Sequence, residues 1–317
     1  MFAEKATVIL LLHLFAINIQ LVTSDTGIDS VTISFFYGPT FNDSQKYNLN
    51  DAASLVKHPK FIHNQTTCFM IGYDNLDDNP GTRLMVDSYL KRNTTNFLNI
   101  NYEKINGGNY SYNQTQKNVL KLASRVVDFC IKLFRSGVND DTFSLVGHSL
   151  GGRGVSLIAR GIVKRSIKAF TISRLSMLDP TNEERYDIYT FPPIEQYFAK
   201  FIDVIHSAAG FATTKSLGNV NFWPNNGTAL QPGCSDKTEK CSHRKSLAYW
   251  AESVANGPLN SMLAYPSGSY DNLLKNGEDR YKNGAVVMGI DCPREARGDY
   301  YLQYNTTFGD SLTLSEV

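Results

Sequence analysis

Through the middle of the chain, short apolar runs alternate with longer stretches in which apolar residues recur every three or four positions. Cys68 to Ile71, ending at Gly72, and Phe97 to Asn101 read as strands. In Gln114 to Arg135 the apolar residues Val119, Leu122, Val126, Cys130 and Leu133 fall on one helical face, and Gly137 stands where a helix C-terminus favours glycine. Thr142 to Val146 is a short β-rich run, followed by a glycine-rich turn and a second helical pattern through Val155, Ile158 and Ile162. Leu175 to Leu178 and Phe201 to Ile205 read as two further buried strands, and Ser246 to Val254 as a helical run. Strands alternating with helices predict an α/β fold, with a mostly parallel central sheet flanked by helices on both faces. No repeat, low-complexity tract or linker interrupts the pattern, so one domain over residues 25–317 is the expectation.

The first residues break this pattern. Lys5 is followed by an almost wholly apolar run, Thr7 to Val22, and then by the small residues Thr23 and Ser24. The run is short for a membrane span and fits a cleaved secretory signal over residues 1–24, giving a secreted, soluble, extracellular protein. Seven Asn-x-Ser/Thr sites, at Asn42, Asn64, Asn93, Asn109, Asn113, Asn226 and Asn305, point to glycosylation on that route. Charge adds an exclusion: 31 Lys+Arg balance 30 Asp+Glu, and no basic stripe suggests nucleic acid as a partner. Of five cysteines, Cys234 and Cys241 flank a short polar stretch and are expected to form a loop disulfide. Cys68, Cys130 and Cys292 cannot be paired from sequence, and Cys130 lies on the apolar face of its helix, as a buried thiol would. No cysteine or histidine pair has metal-ligand spacing, and no metal is expected.

The glycine-rich turn carries the candidate chemistry. Gly147-His148-Ser149-Leu150-Gly151 is a Gly-x-Ser-x-Gly motif, weak alone, but placed between a strand and a helix as a nucleophile elbow of the α/β-hydrolase fold requires. There a serine hydroxyl stands at a helix N-terminus, whose exposed amides favour developing negative charge. The serine needs a base, and the base an orienting carboxylate, in the chain order Ser, Asp or Glu, His. His58 and His63 precede Ser149, and His148, adjacent to it in the elbow, is expected to point away. His206 and His243 remain; His206 ends an apolar strand, while His243 is expected on a loop leading into the Ser246 to Val254 helix. Asp179, at a strand end and stopped by Pro180, is the favoured acid over Asp203, which lies inside an apolar run. Residue physics leaves the choice between His206 and His243 open.

These residues resemble the pancreatic lipase family of the α/β-hydrolase superfamily, and specifically its insect phospholipase A1 and neutral lipase branch. The matching pieces are Leu145 to Gly151, Leu178-Asp179-Pro180-Thr181, Ile202 to His206, Phe222 to Gly227, Gln231 to Cys234, Cys241-Ser242-His243 with Tyr249, Glu252 and Ser253, and Gly298 to Leu302. The resemblance implies a catalytic triad of Ser149, Asp179 and His243, and treats the segment ending at His206 as structural. It implies an oxyanion hole from the backbone amides of Leu150 and Tyr73. In the family the pair before the latter is His-Gly, whereas Ile71-Gly72 stands here. Gly152, Arg153 and Lys245 also occupy positions where the family usually has other residues.

The chain ends at Val317, so the C-terminal β-sandwich domain of digestive pancreatic lipases is expected to be absent. The stretch between Cys234 and Cys241 is wholly polar, unlike the longer amphipathic lid of triacylglycerol lipases, and is similar to that of the phospholipases A1. No counterparts of the family's calcium-site acids lie between Pro193 and Lys200, so neither metal nor cofactor is expected. The resemblance thus implies a monomeric serine lipid esterase acting on phospholipid or acylglycerol, touching membranes or lipid aggregates only peripherally. A neutral triacylglycerol lipase is the nearest alternative. A catalytically weak or inactive storage protein, like fly yolk proteins, is the alternative of another class.

Overall fold

The computed structural model describes residues 27–63, 65–73, 78–182, 191–228, 230–235 and 239–309. The expected signal segment, the site at Asn64 and the centre of the Cys234–Cys241 loop lie outside the described residues. Among those described, no helix is long and apolar enough to cross a membrane.

A nine-stranded sheet forms the centre. Its strands are β1 (Thr32–Phe36), β2 (Ser44–Asn48), β3 (Thr66–Met70), β4 (Asn96–Asn101), β5 (Phe143–His148), β6 (Arg174–Leu178), β7 (Phe201–Ile205), β8 (Val220–Pro224) and β11 (Gly298–Leu302). They lie in the order β11-β8-β7-β6-β5-β3-β4-β1-β2, with a separate short ribbon of β9 (Leu263–Ala264) and β10 (Val286–Val287). Pairing is parallel from β11 through β4, while β1 runs antiparallel to both β4 and β2. Strands β3, β4, β6 and β7 are buried at every position, as strands covered on both faces must be.

Among the described residues six helices accompany the sheet: α1 (Ala52–Val56), α2 (Pro80–Arg92), α3 (Tyr112–Arg135), α4 (Leu150–Arg165), α5 (Glu239–Asn256) and α6 (Tyr270–Asn276). Strand β4 lies to one side of β3, whereas β6 lies on the other side of β5. Right-handed crossovers in opposite directions place α2 and α4 on opposite faces. Accordingly α3 packs with α4, and α2 with α5. Small residues permit this packing: a Cβ on Gly161 of α4 would lie 2.5 Å from the Val127 side chain of α3.

The middle strands and helices match the expected pattern, with shifted ends. The strand expected from Thr142 begins at Phe143, because Asp140–Thr142 form a 3-10 turn, and it runs on to His148. The helix expected from Gln114 starts at Tyr112, capped by the Ser111 hydroxyl accepting from the Gln114 amide. Gly137 follows its end with φ 101°, the left-handed backbone that favours glycine.

One buried ion pair knits the sheet. Arg174 of β6 donates through Nε and a terminal nitrogen to Asp203 of β7 at 2.8 and 2.6 Å, and Ser176 Oγ donates to the same carboxylate at 2.6 Å. The guanidinium also donates to the Gly289 and Ile290 carbonyls, so the buried charges are paired and hydrogen-bonded. Asp203 is therefore occupied inside the sheet, which removes it as a competing acid.

Candidate active site

The order of connections reverses between β3 and β5, the position at which open α/β sheets form a crevice at their strand C-termini. Ser149 follows β5, Ile71-Gly72-Tyr73 follows β3, and Asp179 follows β6. The candidate residues thus gather at one sheet edge although Gly72 and His243 are 171 residues apart in sequence.

Ser149 takes φ 56° and ψ −124°, a strained conformation for a residue with a side chain. The turn it makes is too tight for neighbours with side chains. A Cβ on Gly147 would lie 2.3 Å from the Gly151 carbonyl oxygen, and one on Gly151 would lie 2.1 Å from that of Met70. Both motif glycines are thereby explained by backbone approaching backbone. The Ser149 amide donates to the Leu178 carbonyl at 3.0 Å, and the Thr181 amide donates to the Ser149 carbonyl at 3.4 Å, so the residues on either side of Asp179–Pro180 grip the elbow. Gly72 closes on it from the other side: a Cβ there would sit 2.8 Å from Ser149 Cβ.

Asp179 is wholly buried and also has positive φ, 46°. Its Oδ1 accepts from the Ser207 and Ala208 amides at 2.8 and 3.2 Å, and its Oδ2 accepts from His243 Nδ1 at 2.5 Å. In the tautomer that donates from Nδ1 to this carboxylate, Nε2 carries the lone pair. Nε2 is buried and makes no hydrogen bond with a described residue. Ser149 Oγ is therefore not hydrogen-bonded to it in this structure.

His243 does not lie on a loop. It occupies the second turn of α5, whose start was hidden by the polar residues Glu239 to Lys245, several of them buried. The Cys234–Cys241 disulfide forms as expected, with Cα atoms 5.6 Å apart, and pins the same helix end. Cys68, Cys130 and Cys292 are free and buried.

His148 makes no hydrogen bond with the Ser149 hydroxyl, and its Nδ1 has no hydrogen-bond partner among the described residues. Its ring centroid lies 4.5 Å from that of His243, and its Nε2 donates to the His243 carbonyl at 3.2 Å. Burial, and then the neighbouring charge of His243, hold its pKa well below the ordinary imidazole range, so it stays neutral. Phe211 covers another side of the His243 ring, with centroids 4.9 Å apart. His206 stacks flat on Trp223 at 3.8 Å, fully buried, and its pKa is lowered by burial. Of the two histidines left open by residue physics, His243 alone contacts Asp179.

Ile71 is buried, so its side chain cannot replace the polar group of a histidine at that position. The carbonyls around it are nevertheless held. Tyr102 Oη donates to the Ile71 and Gly72 carbonyls at 2.6 and 3.2 Å, and Asn106 Nδ2 donates to the Gly72 carbonyl at 3.0 Å. Tyr73 is anchored by its hydroxyl donating to the Tyr110 carbonyl at 3.2 Å and by an edge contact with Tyr112 at 5.0 Å. Nothing in the apolar pattern marked Tyr102 or Asn106, since both follow a strand in an irregular segment. Among the described residues no cluster of His, Cys, Asp and Glu could hold a metal ion.

Comparison with known proteins identifies a family. Residues 18–307 match the family described as Lipase. Pancreatic lipase-related protein 2 of Cavia porcellus is 25% identical over 250 residues, covering 75% of this chain and 55% of its own length. Vitellogenin-2 of Ceratitis capitata is 28% identical over 183 residues, covering 56% of this chain and 41% of its own. The chain thus spans about half the length of these curated relatives. Among solved structures, an α/β serine hydrolase without lid from Xanthomonas campestris is 13% identical, covering 47% of this chain and 61% of that one with a TM-score of 0.31.

Proposed function

The chain belongs to the lipase family, and from that premise we propose that it is a secreted serine ester hydrolase that releases fatty acid from lipids, of the phospholipase A1 kind. The observation that carries the proposal is the buried Asp179–His243 pair beside the strained Ser149 elbow. In the proposed reaction Ser149 Oγ attacks the acyl carbonyl carbon while His243 Nε2 takes its proton. The amides of Leu150 and Tyr73 hold the resulting oxyanion. His243 then passes the proton to the departing alcohol, leaving an acyl-serine. Water, deprotonated by the same nitrogen, attacks the acyl-serine and frees the fatty acid. Asp179 keeps the Nδ1 proton in place and stabilises the imidazolium.

The polar stretch between Cys234 and Cys241 supports phospholipid over triacylglycerol, because so short and polar a loop cannot cover a wide apolar cleft. Exposure of Asn42, Asn93, Asn109, Asn113, Asn226 and Asn305 is compatible with glycans at those positions. We take the protein as a single-domain, glycosylated monomer after removal of residues 1–24. A storage role has one observation in its favour, the similarity to vitellogenin-2.

The test is purified protein assayed on phosphatidylcholine vesicles and on triolein emulsion, with a fluorophosphonate probe followed by peptide mapping. Labelling at Ser149 and a preference for phosphatidylcholine are expected. Clear triolein preference replaces the phospholipase reading with a neutral lipase, and a folded protein that does not label at Ser149 overturns the enzyme reading.

A further inference from the structure

The peptide joining Gly72 to Tyr73 has its carbonyl bound from two sides and its Gly72 Cα packed on the nucleophile. Asn106 Nδ2 and Tyr102 Oη both donate to the Gly72 oxygen, at 3.0 and 3.2 Å. The single Tyr102 Oη proton is shared with the preceding carbonyl of Ile71, the shorter arm at 2.6 Å, so one hydroxyl spans two consecutive peptide units. Tyr102 and Asn106 are both buried, where an amide–carbonyl bond is not exchanged for water. The segment carrying them is itself tied down: Asn118 Nδ2 of α3 donates to the Ile105 carbonyl at 2.9 Å.

We infer that Tyr102 and Asn106 are positioning residues for the oxyanion-binding amide of Tyr73. The inference rests on the ester-hydrolase reading of Ser149 and deepens it. In a trans peptide the N–H points opposite to the C=O, and the chain has no cis peptide bond among the described residues. Two donors on the Gly72 oxygen therefore fix the direction in which the Tyr73 N–H points. They also polarise the same amide, because hydrogen bonds along a chain strengthen one another in a low-dielectric interior. This arrangement does the aiming from beneath the loop, where the buried Ile71 side chain has no polar group to contribute. An oxyanion donor acts by being aimed in advance at the place where charge develops, and small misplacements are costly.

The experiment uses Tyr102→Phe, Asn106→Ala and the near-isosteric Asn106→Asp in the full chain, with a short-chain p-nitrophenyl ester. Inhibition by an alkyl boronic acid is the second readout, since Ser149 Oγ adds to boron to give an anionic tetrahedral adduct that occupies the oxyanion site. Each single variant is expected to lose about tenfold in kcat, and the Tyr102→Phe/Asn106→Ala pair roughly a hundredfold, with KM unchanged and the boronate Ki rising by the same factors. Asn96→Ala, which removes buried hydrogen bonds to Ile62 at the start of β4, serves as a control that lowers Tm without moving kcat. Variants that keep kcat and Ki within twofold of the parent overturn the inference. So does a loss of kcat with an unchanged Ki, or a loss confined to KM or Tm. A folded parent protein that hydrolyses no ester and does not label at Ser149 fails at the earlier step and overturns the hydrolase reading itself.

Discussion

His243 Nδ1 lies 2.5 Å from Asp179 Oδ2, while the other oxygen of that carboxylate is held by the amides of Ser207 and Ala208. The carboxylate is thus fixed before it orients the imidazole, and its second oxygen is not available as a competing acceptor. Asp179→Asn keeps the shape but can donate to the ring and stabilise the wrong tautomer. Its kcat is expected to fall about ten-thousandfold with little change in KM. A loss of tenfold or less would mean that this pair does not set the tautomer.

The elbow glycines give an expectation on stability rather than rate. Gly147→Ala and Gly151→Ala each drive a methyl group toward a backbone carbonyl, at 2.3 and 2.1 Å, which no side-chain rotation relieves. Each is expected to destabilise the protein by about 3 kcal/mol or to abolish soluble expression. Urea unfolding of whichever variants can be purified checks this, and a midpoint equal to the parent's would show that the turn relaxes freely.

Two buried imidazoles set an acid limit. Burial lowers the pKa of both His148 and His206 in the folded chain, whereas in the unfolded chain each titrates near 6.5. The unfolded state then binds more protons as pH falls below about 6.5, so stability is fully present above that value and is lost on acidification. Each histidine contributes a slope of up to about 1.4 kcal/mol per pH unit. Melting temperature is expected to be flat from pH 7 to 8.5 and to fall between pH 6.5 and 5, less steeply in His206→Gln. A flat profile down to pH 5 would contradict the assignment of neutral rings.

Cys68 and Cys292 are pushed up to about 12 by burial, and Cys130 well above its ordinary value by burial and then by Cys68. Thiol reactivity requires thiolate and access. Native protein is expected to take up no iodoacetamide at pH 8, and three equivalents after denaturation without reductant. Rapid labelling of any one in the native state would show that the surrounding core opens.

The sheet centre was legible because its strands are buried on both sides and read as continuous apolar runs, as in Leu175–Leu178 and Phe201–Ile205. The edges were not. β2 exposes Gln45, Lys46 and Asn48, so no alternation marks it. Helix α2 buries Gly81, Thr82 and Ser88 along with Met85 and Val86, which blurs its apolar stripe, although Asn79-Pro80 before it is a capping signal. The elbow could be placed by its glycines and flanking strand. The partner of Asp179 could not, because the contact with His243 closes across 64 positions and depends on a helix whose first turns are polar. Resemblance, not pattern, selected His243, and neither signalled Tyr102 or Asn106.

Positive φ at both Ser149 and Asp179 means that the fold and its proposed chemistry pull in opposite directions. Holding a side chain in such a conformation costs on the order of 1–3 kcal/mol, and glycine escapes most of it. Ser149→Gly should therefore melt higher than the parent while hydrolysing nothing, whereas Ser149→Ala keeps the strain and gains nothing in Tm. On this reading the more stable version of the elbow is an inert one, and the proposed chemistry is retained at a cost to the fold.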